Sequence, residues 1–162
     1  MSNINHIIFL ATDHGGYYKK EDVKKYLLSN ISPKLKVEVI DFGASIYNKD
    51  DNYPDFVHQA AKALSDTYMS GNSNASAFVF GRSGTGEGII MNKYKDIRCL
   101  TMAHNDLDLV RLSREHDDVN AISFGADFIN IDNIIESIDI FFNTDFQGGR
   151  HTIRVNNIEK LL

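Results

Sequence analysis

Five short apolar runs, four of them ending in a glycine-bearing turn, alternate with stretches of helical periodicity along the 162-residue chain. Residues 6–12 (HIIFLAT) stop at Asp13-His14-Gly15-Gly16, as a buried strand bounded by turn residues does. In the following YYKKEDVKKYLLSN, Val23, Tyr26 and Leu27 share one helical face, and the lysines and acids are expected opposite. Pro33 ends that helix, because the residue before proline avoids helical backbone. Val37 to Asp41 reads as the second strand, and residues 44–52 as a polar irregular loop. Pro54 suits the first turn of a helix carrying Val57, Ala60, Ala61, Leu64 and Tyr68. Residues 77–80 form strand three, a helix resumes near Glu87 and runs to Lys93, and residues 97–101 form strand four. Asn105 to Arg114 reads as helix, with residues 115–118 as loop, and residues 120–124 as strand five. Ile134, Ile138 and Phe141 mark another amphipathic helix, and Val155, Ile158, Leu161 and Leu162 a last short one.

This alternation predicts a parallel, doubly wound α/β sheet in one domain over residues 1–162. Composition narrows the function. The net charge of -5 argues against a general nucleic-acid binder. No apolar run approaches the roughly 20 residues of a membrane span. The start, MSNINHIIFL, has no basic region and no long apolar core, so no secretory signal is expected. A single cysteine, Cys99, read as a core residue, excludes an internal disulfide and a cysteine-rich zinc site, and makes a reducing compartment the expectation.

Ligands of doubly wound sheets bind beyond the carboxyl ends of the strands. Those ends carry Asp13-His14 and the loop GRSGTGEG, residues 81–88, whose four glycines let backbone N–H groups approach a ligand. The loop matches neither the P-loop nor the dinucleotide pattern; a tight strand-to-helix turn would also need its glycines. Glu87 could be a general base beside an oxyanion-binding loop, or a first-turn acid stabilised by the helix dipole. Asp13 could cap the next helix, and His14 could bind an anion or move a proton. Arg150, His151 and Arg154 form a local basic group, suited to phosphate or simply solvated. No histidine pair has metal-ligand spacing of the HxH or HxxxH kind. Tyr17, Tyr18 and Tyr53 either line the cleft or pack.

Six ordered segments together resemble the type B ribose-5-phosphate isomerases, a family that includes galactose-6-phosphate isomerase subunits. They are ATDHGGYYKKEDVKKYL, VIDFGA, NYPDF, GRSGTGEGIIMNKYKDIRC, RLSREHDDVNAISFGA and QGGRHTIRV. The resemblance implies a Rossmann-like three-layer sandwich with a five-stranded parallel sheet. It also implies a cytoplasmic homodimer or homotetramer whose sites are shared between subunits. The implied reaction is cofactor-free and metal-free: ribose 5-phosphate and ribulose 5-phosphate interconvert through an enediolate, a step of the pentose phosphate pathway.

The resemblance also implies roles. Many members begin the glycine loop with a cysteine base; Gly81 stands there, and the chain is similar to the branch whose base is the glutamate matched by Glu87, with Ser83 as hydroxyl partner. Asp13 and His14 match the pair that contacts the sugar and assists ring opening, with Gly84, Thr85 and Gly86 lining the substrate. His116 matches a histidine of ring opening or proton donation, Asp117 a sugar-binding position, and Arg150, His151 and Arg154 the phosphate group. The chain departs from the pattern after strand five, where members carry an arginine that helps hold phosphate and this chain has Asp127. That leaves three readings: weaker phosphate binding, a different substrate such as a six-carbon sugar phosphate, or compensation by another cation such as Arg82. Asp127 is also the feature that would fit a non-catalytic sugar-phosphate-binding protein.

Overall fold

The computed structural model describes residues 6–31 and 35–160; Pro33, Leu161 and Leu162, used above to bound the first and last helices, lie outside them. The elements run β1 (His6–Thr12), α1 (Tyr17–Tyr26), β2 (Val37–Asp41), α2 (Tyr53–Met69), β3 (Ala75–Gly81), α3 (Thr85–Met91), β4 (Cys99–Met102), α4 (Leu107–Asp117), β5 (Ala121–Gly125), α5 (Ile131–Asn143) and α6 (Arg150–Glu159). All pairings are parallel and the strand order is β2-β1-β3-β5-β4. The chain therefore turns outward from β1 to β2 and then back past β1 to β3. This leaves a crevice between the carboxyl ends of β1 and β3, the ligand position of open α/β sheets.

Strand side chains alternate between two cores. Ile8, Leu10, Phe78, Phe80, Ile122 and Phe124 face the layer of α1, α4 and α5. Phe9, Ala11, Ala75, Ala77, Val79 and Ala121 face α2 and α3. The first face is built from large side chains and the second mostly from alanine, so α2 lies close against a thin wall. The described residues contain no helix long and apolar enough to cross a membrane.

Some expectations are corrected. A π-helical turn, Leu27–Ile31, extends α1. α3 ends at Met91 rather than Lys93. α4 starts at Leu107, where the Asp106 side chain accepts the Leu109 N–H, and it runs on through His116 and Asp117. Its last turn is held because Arg114 reaches Asp118 (3.2 Å) and the Val119 carbonyl (2.6 Å), and Asp118 closes it with φ +47°. Cys99 lies on the edge strand β4, partly buried and packed against the core beneath α2 and α3, and burial of its sulfur pushes the thiol pKa up to about 12.

Lys20 is the largest correction. It lies on the buried face of α1 with no exposed surface. Its ammonium donates to both Asp41 oxygens (2.9 and 2.7 Å) and to the Ala44 carbonyl (2.9 Å). All three ammonium hydrogens thus have partners, which is what makes a buried lysine tolerable. Burial alone would raise the Asp41 pKa, but hydrogen bonds from Lys20 and Lys24 hold it below the usual range. Lys20→Met, which removes the buried cation and leaves Asp41 only Lys24 and the Gly43 N–H, is expected to cost about 3 kcal/mol in urea unfolding. Lys24→Ala, at a more exposed partner, is expected to cost less than about 1 kcal/mol.

Candidate functional site

The crevice between β1 and β3 collects one group of side chains. Asp13 is buried, and its Oδ1 accepts the Gly15 N–H (2.8 Å). His14 donates its backbone N–H to Asp51 Oδ1 (2.9 Å), and its Nδ1 lies 2.7 Å from the same oxygen. The hydrogen bond to Asp51, with the charges of Asp13 and Asp51, raises the His14 pKa against partial burial. Asp51 was absent from the sequence reading. The available signal was an acidic pair just before Tyr53-Pro54, in a loop that also follows the carboxyl end of a strand.

The glycine loop is laid on the end of β5. Gly81 and Arg82 carbonyls accept N–H bonds from Ala126 (2.7 Å) and Asp127 (3.0 Å), and Ser123 Oγ donates to the Gly84 carbonyl (2.5 Å). Gly84 has φ +74°, and a Cβ there would come within 2.8 Å of backbone atoms of Phe124 and Gly125, so only glycine fits. Ser83 and Thr85 are exposed, and the Ser83 Oγ accepts the Thr85 N–H (3.3 Å). Gly86 lies against the Tyr53 hydroxyl, which places Tyr53 at the cleft.

Glu87, in the first turn of α3, is buried at 4% exposure. Its carboxylate occupies the space a side chain at residue 81 would need: a Cβ on Gly81 would sit 1.8 Å from Oε1. Desolvation raises the Glu87 pKa above the ordinary carboxylate range, and the charge of Asp13 adds to it. Glu87 is therefore a desolvated carboxylate rather than a surface acid of the helix end. Asp127 does not stand alone; its Oδ2 accepts from Arg82 Nε (2.8 Å), and the pair sits at the mouth of the crevice.

Asp13, His14 and Asp51 bring three potential ligand atoms within 4.8 Å of one another. The 2.7 Å separation of His14 Nδ1 and Asp51 Oδ1 is a hydrogen-bond distance. Two ligands on one tetrahedral ion at about 2.0–2.1 Å would stand roughly 3.3 Å apart.

The remaining residues singled out from the sequence gather elsewhere. His116 and Asp117 are in the last turn of α4, and Arg150, His151 and Arg154 in the first turns of α6. The His116 and His151 rings stack at 4.3 Å between centroids and 3° between planes. Arg150 Nε donates to His151 Nε2 (3.5 Å). Burial and the charges of His116, Arg150 and Arg154 lower the His151 pKa. Arg150 and Arg154 are exposed. Among the described residues no hydrogen bond or ion pair joins this group to the crevice. Helices of a parallel sheet run opposite to its strands, so the end of α4 lies at the amino ends of the strands. β5 alone, with five residues, separates the two ends by roughly 16 Å.

Fold and crevice define a doubly wound α/β protein with a buried carboxylate beside a glycine loop at the carboxyl ends of its strands. Residues 8–158 match the family model for ribose/galactose isomerases, and the chain belongs to that family. It is 33% identical over 157 residues, 96% of this chain and 94% of the other, to a probable ribose-5-phosphate isomerase B of Mycoplasma pneumoniae. The solved ribose-5-phosphate isomerase B of Clostridium thermocellum superposes with a TM-score of 0.80 at 32% identity, covering 96% of each chain. The Mycoplasma genitalium enzyme, solved with ribulose 5-phosphate bound, shares the fold at TM-score 0.84 and 24% identity, covering 96% of this chain and 95% of that one.

The raised Glu87 pKa has a thermodynamic sign. The native state holds this proton more tightly than the unfolded chain does. Stability therefore falls as pH rises from the free glutamate value of about 4.3 through the folded value. Glu87→Gln removes that loss. Its melting temperature is expected to exceed the wild type's near about pH 8, with the gap closing toward about pH 4. A gap independent of pH would sink the assignment.

Proposed function

We propose that the chain interconverts ribose 5-phosphate and ribulose 5-phosphate through an enediolate, with Glu87 as the base. The buried carboxylate in the space left by Gly81 carries this reading. Isomerisation moves one hydrogen between C2 and C1 on one face of the sugar, and a single carboxylate can take it and return it. Glu87 lifts the C2 proton of the open aldose, the electron pair forms the C1–C2 double bond, and the carbonyl oxygen becomes an oxyanion. Ser83 and the N–H groups near Gly84 and Gly86 meet that charge, each well-placed donor being worth roughly 3–4 kcal/mol. Glu87 then returns the proton to C1 while the O2 proton passes to the O1 oxyanion, leaving a C2 carbonyl and a C1 hydroxyl. Asp13 and His14 hold the sugar and open its ring, and Thr85 lines it.

The phosphate end calls for a second copy of the chain. His116, Asp117, Arg150, His151 and Arg154 belong to the far end of the sheet, so they reach the crevice only from a neighbouring subunit, as a homodimer or homotetramer. In that arrangement Arg150 and Arg154 grip the phosphate, remote binding energy that positions the reacting carbons. Arg82, held by Asp127 at 2.8 Å, keeps a cation beside the crevice although the family's arginine is replaced. That pairing removes the unpaired acid that would have favoured a non-catalytic binder.

Glu87→Gln is expected to lower kcat by about 10²–10⁴-fold and to stop deuterium entry at sugar carbon from heavy water, while the protein stays folded. Retained turnover would refute the base. A 1:1 mixture of Glu87→Gln and Arg150→Ala proteins, unfolded and reassembled together, is expected to regain about a quarter of wild-type activity. Half of randomly paired dimers are hybrids, each with one intact site. No recovery would place the whole site in one chain. Activity is expected to survive exhaustive chelation; a loss restored by a divalent ion would redirect the mechanism.

A further inference from the structure

We propose that the outward face of α6 docks on the tyrosine patch beside the crevice of a second copy of the chain, each copy giving one helix and receiving one. The inference rests on the shared-site reading above and deepens it by naming the two surfaces that meet.

α6 is seated too lightly to be complete within one chain. Of its ten residues only His151 and Val155 are buried. A helix of that length is marginal in water unless an apolar face is packed. Yet Ile153 is 66% exposed and Ile158 47%. Arg150, Ile153 and Arg154 follow the i, i+3, i+4 spacing of one helix face, and all three are exposed. That face presents an apolar knob between two guanidinium groups.

The surface that fits such a knob lies at the other end of the sheet. Tyr18 and Tyr47 stack at 5.7 Å between centroids and 23° between planes, and Tyr17 meets both rings edge-on. Tyr18 is 68% exposed, and Ile46, next to Tyr47 on loop 44–52, is 77% exposed. A contiguous apolar patch this open marks an interaction surface. The charges match too. The turn after β1 and loop 44–52 carry Asp13, Asp50 and Asp51 against Lys49 and His14, and tyrosine faces attract guanidinium. Tyrosine and arginine are among the residues that anchor protein interfaces. His14 lies edge-on to Tyr47 at 6.3 Å, so a helix seated on the patch brings Arg150 and Arg154 to the crevice mouth.

One chain cannot make this contact with itself. α6 begins beside the end of α4, at the amino ends of the strands, where His151 stacks on His116. The patch lies at the carboxyl ends. Every copy carries both surfaces, so a two-fold pair makes both contacts at once and closes.

Cross-linking tests the contact. Tyr18→Cys and Ile153→Cys are made in separate full-length chains on a Cys99→Ala background, unfolded and reassembled together, and treated with a short bismaleimide. Mass spectrometry is expected to find a covalent dimer holding one chain of each kind. Tyr18→Cys mixed with Met69→Cys, exposed at the end of α2, is expected to give none. Ile153→Asp is an exposed change that leaves the fold intact. It is expected to raise the dimer dissociation constant, read by sedimentation, by about 30-fold or more, since each dimer carries it at two contacts. A wild-type dimer that survives Ile153→Asp unchanged and gives no mixed cross-link would overturn the proposal and leave the shared site to another surface. Tyr18→Ala that raises KM with sedimentation unchanged would make the patch a wall for the sugar and overturn it too. A wild type that is active as a monomer would bring down the shared-site reading together with the proposal.

Discussion

Every strand of this sheet points the same way, and that polarity decides where chemistry can assemble. Loops that follow strands gather at one end, and loops that follow helices gather at the other. The turn after β1, the loop after β2 and the glycine loop after β3 therefore meet around Asp13, Asp51 and Glu87. The same polarity sends the end of α4 and the start of α6 away, where His116 and His151 stack. The two groups singled out from the sequence therefore lie at opposite ends of one sheet.

Within the crevice the electrostatics are set by backbone as much as by side chains. Lys20 joins Asp41 to the Ala44 carbonyl, so loop 44–52 starts from a fixed point. From there the loop reaches Asp51, which ties down His14. The other wall is fixed by the β5 N–H groups bonded to the Gly81 and Arg82 carbonyls. Between these walls lie two buried carboxylates, Asp13 and Glu87, whose mutual repulsion adds to the desolvation of Glu87. The site is held in a state that folding alone would not favour, as functional carboxylates commonly are.

Much of this was legible in the sequence because it is written locally. Apolar runs of strand length, helical spacing and turn glycines act over a few residues, and they marked all five strands and the glycine loop. What escaped depends on distance along the chain. The insertion of β5 between β3 and β4 is a pairing choice that no local pattern encodes. Asp51 gains meaning only from a partner 37 residues away. Lys20 looks like a surface lysine until Asp41 is brought beneath it. Asp127 looks like a misplaced acid until Arg82 is brought across 45 residues to meet it. His116 lies in helix rather than in the expected loop for a local reason: the Arg114–Asp118 pair prolongs α4 by a turn beyond the point where apolar spacing fades.

The missing side chain at Gly81 restricts how such a protein can change. A base mounted on residue 81 and a base mounted on residue 87 would compete for one volume, since even a β-carbon at 81 would lie 1.8 Å from the carboxylate. Any residue other than glycine at 81 must displace the Glu87 carboxylate, so the two positions can change only together.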